Sequence, residues 1–266
     1  MAIFSKDALK GRHIVITGAT GGIGKETAKI VAQMGAKVTI TGRNTDKLAH
    51  LEQELQVLTD ASNLFVQKSD ITDKEEREQL VSNAREALGF ISDLVNAAGI
   101  AGKKTVDQLE ESDIESMLHV NYLAAFSLSK EIYKEMQEKK QGNIVNVASL
   151  SGLRGTHGNS AYASSKFAMI GWTQSMALEA IAYNVRVNAV CPGFVDTEMV
   201  QKLFQANAEK TNQSYEQVKQ TAEESLPSER ITTPEEVGNT IAFLLTDAAQ
   251  NIVGESVKIS GGAVMR

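Results

Sequence analysis

The feature that most constrains this chain is its alternation of short β-branched runs with longer helical patterns. The runs are His13–Thr17, Lys37–Thr41, Asn63–Gln67, Leu94–Asn96, Asn143–Ala148, Val185–Val190 and Ser256–Ile259. Helical stretches separate them, and the first places Ile23, Ile30, Val31 and Met34 on one face at a 3.6-residue period. Repeated strand–helix units require parallel strands buried on both sides, because each crossover lays a helix on a sheet face. The pattern therefore predicts an α/β fold: a doubly wound parallel sheet of about seven strands with helices on both faces. The strand signals spread over all 266 residues, with no repeat or linker between them. A single domain, 1–266, is expected. One stretch breaks the rhythm: residues 198–230 are polar, rich in Gln and Glu, and lie between two strand signals. An insertion of that kind serves as a lid over a site or as a solvated helical excursion.

The first strand runs into Thr17-Gly18-Ala19-Thr20-Gly21-Gly22-Ile23-Gly24, which opens a helix. Glycines there allow a tight turn and bring backbone N–H groups close to a pyrophosphate at the positive helix end. The spacing is Gly-x-x-x-Gly-x-Gly, with Thr20, Gly21, Gly22 and Ile23 forming the lip of the turn. The second strand ends in Gly42-Arg43-Asn44. A carboxylate at that end would bind the adenosine ribose hydroxyls and repel a 2′-phosphate. Glycine stands there instead, and a guanidinium fork matches phosphate. Arg43 and Asn44 thus predict NADP(H) as the preferred cofactor, with NAD(H) possible; without a ligand role, Arg43 is a solvated side chain.

Charge and cysteine content narrow the partners. The net charge of −6 argues against nucleic acid, whose binders concentrate positive charge. One cysteine, Cys191, excludes an intrachain disulfide and a multi-cysteine metal site, and no metal site is expected. No apolar leader or membrane-length apolar window is present, so a soluble cytoplasmic protein is predicted.

Carbonyl reduction needs a proton donor beside the forming alkoxide and a charge to stabilise it. Tyr162 and Lys166 are four residues apart and share a helix face. An ammonium near the phenol favours its ionised form and is expected to lower its pKa. Spacing alone is weak, because Tyr215 and Lys219 repeat it. Context separates the pairs. Thirteen residues before Tyr162 stands Ser149, at the end of a β-run, whereas Lys202 stands thirteen before Tyr215 with no strand.

Together these motifs resemble the short-chain dehydrogenase/reductase family, in its single-domain branch with Thr-Gly-x-x-x-Gly-x-Gly and Tyr-x-x-x-Lys. The resemblance covers roughly residues 10 to 263. It implies a Rossmann-like fold and an NADP(H)-dependent oxidoreductase interconverting a carbonyl and a secondary alcohol, such as a ketone or 3-oxoacyl reductase. Carried over, Tyr162 is the general acid, Ser149 bonds the substrate oxygen, Lys166 holds the nicotinamide ribose, and Asn121 anchors a water in the proton relay. Asp70 and Ile71 would line the adenine pocket. Asn96-Ala97-Ala98-Gly99 resembles the family's Asn-Asn-Ala-Gly, with Asn96, Ala97 and Gly99 on the cofactor wall. In Cys191-Pro192-Gly193-Phe194-Val195-Asp196-Thr197, Pro192 and Gly193 shape a turn whose Val195 and Thr197 would bond the carboxamide; Cys191 is then packing. A homotetramer is implied, with Trp172, Met176 and Leu178 packing across subunits or within the core.

The resemblance leaves the substrate open. Pocket candidates are Leu150, Ser151, Leu153, Arg154, His157, Asn159 and Phe194, with Glu198 and the segment from Met199 onward; each could equally face water. Arg154 or His157 could orient a polar or anionic substrate. An acidic carrier protein would need basic residues beside the site's mouth; by resemblance Lys140 fills one such place, and Tyr183 stands at the other. Alternatives are an NAD-dependent sugar, polyol or hydroxysteroid dehydrogenase, and a non-enzymatic NADP-sensing regulator.

Overall fold

Along each strand, neighbouring side chains enter opposite layers, and this alternation assembles the core. The computed structural model describes residues 3–265. Its strands are β1 (His13–Thr17), β2 (Lys37–Gly42), β3 (Leu64–Lys68), β4 (Asp93–Asn96), β5 (Gly142–Val147), β6 (Val185–Pro192) and β7 (Ser256–Ile259). They form one sheet in the order β3-β2-β1-β4-β5-β6-β7, and every neighbouring pair is parallel. Ile14 and Ile16 of β1 enter one layer with Val38, Ile40, Val95 and Val145. That layer is covered by α1 (Gly22–Gln33), α2 (Thr45–Gln56) and α9 (Pro234–Leu245). Val15 enters the other with Leu94, Ile144 and Val187, beneath α3 (Lys74–Leu88), α5 (Ala124–Lys139) and α6 (Ser160–Ala180). The inner strands β1, β4, β5 and β6 are buried throughout, as a doubly wound sheet demands, and the edge strands β3 and β7 are half-buried.

Strand ends differ from the hydrophobic pattern where polar groups are buried. β4 begins at Asp93, one residue earlier than apolar runs suggest, because its carboxylate is wholly buried and neutralised. Arg12 donates to it through Nε at 2.8 Å and through Nη2, Ser92 donates at 2.6 Å, and Asn143 at 3.0 Å. Beside this cluster His13 is buried, with Nδ1 2.9 Å from the Gly89 carbonyl and Nε2 2.8 Å from the Thr39 hydroxyl. These groups tie the N-terminal ends of β1, β2, β4 and β5 and leave the opposite ends free for ligand.

Residues 198–230 form a helical hairpin, α7 (Glu198–Thr211) and α8 (Tyr215–Glu224). Asn212, at φ 54°, closes α7 in the left-handed region, and a Ser214–Gln217 capping box starts α8. Phe204, Ala208, Val218 and Ile231 give the hairpin a small core of its own.

Burial lowers the pKa of His13 despite the Gly89 carbonyl, which favours the charged form. The folded value lies below the unfolded one, so the unfolded chain binds the extra proton. Stability should therefore fall as pH drops from 7 through about 6. Urea midpoints at pH 7.5 and 5.5 test this; His13→Gln should shrink the difference, and an unchanged difference would refute the assignment.

Candidate active site

The strand order reverses about β1, so the loops leaving β1 and β4 diverge and open a crevice at their C-terminal ends. Gly18 lies there at φ +63°. A Cβ on it would sit 2.6 Å from the Ala98 nitrogen and 2.7 Å from the Ala97 carbonyl, so only glycine permits the contact. A Cβ on Gly22 would lie 2.6 Å from Cγ2 of Thr197, and one on Gly24 would strike the Gly18 carbonyl. The turn closes through Gly21 N–H to Gly18 O at 2.9 Å, and Ala19 N–H bonds Thr41 O at 3.1 Å. Helix α1 starts at Gly22 with no side-chain cap, leaving its N-terminus as a cradle for an anion. A dinucleotide pyrophosphate fits this geometry.

At the end of β2, the Cβ of any side chain replacing Gly42 would lie 3.0 Å from the Thr20 hydroxyl. Arg43 is exposed, 3.8 Å from the Asp70 carboxylate. Asn44 caps α2 by accepting from Lys47 N–H at 2.8 Å. Asp70 accepts from the Thr72 amide at 3.0 Å and hydroxyl at 2.7 Å, and Ile71 is buried beside it. Burial raises the Asp70 pKa, but the Thr72 bonds and Arg43 outweigh it and leave the carboxyl below its ordinary value.

The sequence brings Ser149, Tyr162, Lys166 and Asn121 from three elements, and the fold gathers them. Ser149 stands two residues past the end of β5 and caps a 3-10 turn, accepting from Ser151 N–H at 3.1 Å. Tyr162 and Lys166 lie on the first turns of α6. The Lys166 ammonium donates to Val147 O at 2.8 Å and stands 5.7 Å from the Tyr162 ring centroid. Asn121 is wholly buried in a π-helical turn, His119–Leu123, which joins α4 (Glu111–Leu118) to α5. Its Oδ1 accepts from Ile100 N–H at 2.8 Å, and its Nδ2 donates to Ile100 O and Ser165 Oγ, each at 3.0 Å. The side chain thus clamps the loop after β4 to α6. Such a wide turn often marks a functional site.

The tyrosine departs from the sequence expectation. Burial is the largest influence on Tyr162 and raises its pKa from a phenol's ordinary value; a hydrogen bond with Ser149 lowers it, and the Cys191 thiol adds a further rise. Lys166 does not lower it. Burial drives the Lys166 ammonium itself down to about 8, and it donates its hydrogen bond to the Val147 carbonyl. The free protein therefore holds a neutral phenol, the form a proton donor requires.

Asn96 belongs to a buried polar ladder rather than to the open crevice. It donates to Ser129 at 2.9 Å and Asn146 at 2.8 Å, and Asn146 donates to Thr173 at 2.8 Å. Ala97 and Gly99 line the divide between the β1 and β4 loops; a Cβ on Gly99 would lie 3.1 Å from Asn121 Oδ1 and 3.7 Å from the Lys166 ammonium. Pro192 ends β6 and Gly193 N–H bonds Ile259 O at 2.9 Å. Val195 bridges to Thr232, and Thr197 caps α7. Cys191 is buried, its thiol pushed up to about 11 by desolvation.

The pocket candidates divide. Ser151 accepts from Asn159 at 3.3 Å, Leu153 packs beside the buried Leu150, and Arg154 and His157 are exposed. Phe194 is 38% exposed and stacks edge-on with Phe204 of the hairpin at 5.4 Å. Glu198 leaves the pocket and pairs with Lys47 and Lys202 at 2.5 and 2.8 Å. Lys140 and Tyr183 precede β5 and β6, so within one chain they lie at the far end of the sheet from Ser149, not beside the mouth. Met176 is buried core under α6, Trp172 packs edge-on against Tyr122 and Phe126, and only Leu178 is largely exposed. Sequence reasoning missed Ser165, which joins Asn121 to the Tyr162 carbonyl; a serine before the lysine carried no distinguishing signal.

Geometry of this kind serves proton and hydride traffic beside a bound dinucleotide, which defines an oxidoreductase. A family model described as short chain dehydrogenase matches residues 12–208. The 3-oxoacyl-[acyl-carrier-protein] reductase FabG of Thermotoga maritima is 34% identical over 97% of this chain and 99% of its own length. Among solved structures, a single-substitution variant of actinorhodin polyketide ketoreductase with NADPH superposes with a TM-score of 0.91 at 27% identity, over 98% of this chain and 99% of that one. Levodione reductase superposes with a TM-score of 0.89 at 25% identity, over 96% of this chain and 98% of that one. The chain belongs to the short-chain dehydrogenase family.

Burial raises the phenol and brings the ammonium down to about 8, so of the two the lysine titrates first as pH rises. For carbonyl reduction, kcat/KM should fall through pH about 8 while the tyrosine stays protonated. A profile flat to pH 10 would refute this ordering.

Proposed function

We propose that this protein is an NADP(H)-dependent carbonyl reductase acting on a ketone or 3-oxoacyl group, with residues 1–266 forming one nucleotide-binding domain and 198–230 its lid. The observation that carries the reading is the corner where the Lys166 ammonium stands 5.7 Å from the Tyr162 ring, with Ser149 in the turn just past β5. Bound NADPH would supply the hydride. Gly18, Thr20, Gly21, Gly22, Ile23 and Gly24 cradle its pyrophosphate, and Arg43 binds its 2′-phosphate. Val195 and Thr197 face the carboxamide.

Ser149 orients the substrate oxygen, and Tyr162 gives that oxygen its proton as charge develops there. Lys166 supplies positive charge to the same corner. Asn121 acts by holding the Ile100 loop and α6 in register. NADPH in the related ketoreductase supports the cofactor, and the activities of the named relatives support the reaction class. The membrane is not implicated by the described residues, none of whose helices is long and apolar enough to cross one. A homotetramer in the cytoplasm remains our reading of the assembly, tested by mass in solution.

Tyr162→Phe should lower kcat for ketone reduction by about 10²–10⁴ while NADPH binding persists; undiminished turnover would overturn the mechanism. Arg43→Ala should raise KM for NADPH by about tenfold and leave KM for NADH unchanged. A strong NADH preference in the unmodified protein would overturn the cofactor assignment.

A further inference from the structure

Acidic residues are missing from the segments that frame the reacting corner. Asp and Glu make up 33 of 266 residues, yet none occurs between Asp93 and Asp107, and none between Glu138 and Glu179. The first stretch holds the loop after β4; the second holds β5, the loop after it, and most of α6. Four exposed cationic or titratable side chains stand on those two loops: Lys103, Lys104, Arg154 and His157. Lys104, next to Lys103, is different, because Asp113 neutralises it at 2.6 and 2.8 Å.

The two loops touch. Gly158, at φ +69°, would place a Cβ 3.4 Å from Cγ and Cε of Lys103, so the lysine stem lies along the loop that carries Arg154 and His157. The same loops lead into the chemistry: Gly99 lies against Lys166 and Asn121, and Asn159 bonds Ser151 two residues beyond Ser149. Among the described residues neither Lys103 nor Arg154 forms an ion pair. The two loops that lead into the reacting groups are therefore cationic and free of carboxylates, on a chain whose net charge is −6. A cationic rim without neighbouring carboxylates focuses attraction on an anion and does not oppose the alkoxide forming beyond it.

We propose that the substrate carries an anionic group, a carboxylate or a phosphate ester, remote from the reacting carbonyl, and that Lys103 and Arg154 bind that group. The inference rests on the reductase reading above and adds the substrate's charge to it.

The test compares matched substrates with NADPH and the whole enzyme. One arm sets levulinate, 5-oxohexanoate and 7-oxooctanoate against their methyl esters. The other sets acetoacetyl-coenzyme A against acetoacetyl-N-acetylcysteamine, which lacks the phosphates. In at least one arm kcat/KM should favour the anion by about tenfold at low salt and approach parity near about 0.5 M NaCl; the arm that responds identifies carboxylate or phosphate. The preference should drop about threefold or more in Lys103→Gln and further in Lys103→Gln/Arg154→Gln, through KM. Lys104→Gln, which removes an already paired cation, should leave it in place. Parity in both arms, or a preference untouched by Lys103→Gln and the double variant, overturns the inference while the reductase reading stands. Failure to reduce any member overturns both.

Discussion

The structure depends on the close approach of two backbones at the crevice where the sheet order reverses. Gly18 presses on the peptide between Ala97 and Ala98, and Gly24 on the Gly18 carbonyl, at separations no side chain permits. That contact seats the N-terminus of α1 at the crevice and brings the loop after β4 against it. From there the loop runs to Gly99 and Ile100, which Asn121 holds, and so to Lys166. A methyl group at Gly18 would disturb the turn before α1 and the loop that leads to Asn121 and Lys166 together.

The opposite end of the sheet is built for permanence. Arg12, Asp93, Ser92, Asn143 and His13 form a buried hydrogen-bonded network, and Arg186 donates to the Ala249 and Thr246 carbonyls nearby. Removing one partner of a buried ion pair costs about 3–5 kcal/mol, since the survivor stays buried and uncompensated. The molecule thus places its buried ion pair at the strand N-termini and its close-packed glycines at their C-termini. Rigidity at one end lets the other remain open.

Burial also decides the chemistry of the reacting groups. A tyrosine beside a lysine suggests a depressed pKa in water, where an ammonium freely stabilises a phenolate. Inside the protein both charged forms lose solvation, and the loss outweighs their attraction, so the phenol rises and the ammonium falls to about 8. The result suits proton donation, which begins from the neutral acid.

The strand positions, the glycine turn, Ser149 and the Tyr162/Lys166 pair were legible in the amino-acid order, because period-two apolar runs, glycine spacing and a four-residue helical repeat are local properties. Strand starts were less so: Asp93 enters β4 only because Arg12, eighty-one residues away, neutralises it. Asn121 could be recognised by resemblance, but its clamp on Ile100 could not, since the partner is a backbone group from another element. The same holds for the exit of Glu198 to Lys47 and for the meeting of Lys103 with Gly158. By itself, then, the sequence determined the layered fold and singled out Ser149, Tyr162 and Lys166, which the fold brings to one corner. Tertiary structure decided their protonation and the electrostatic character of the mouth, because both depend on which distant atoms displace water.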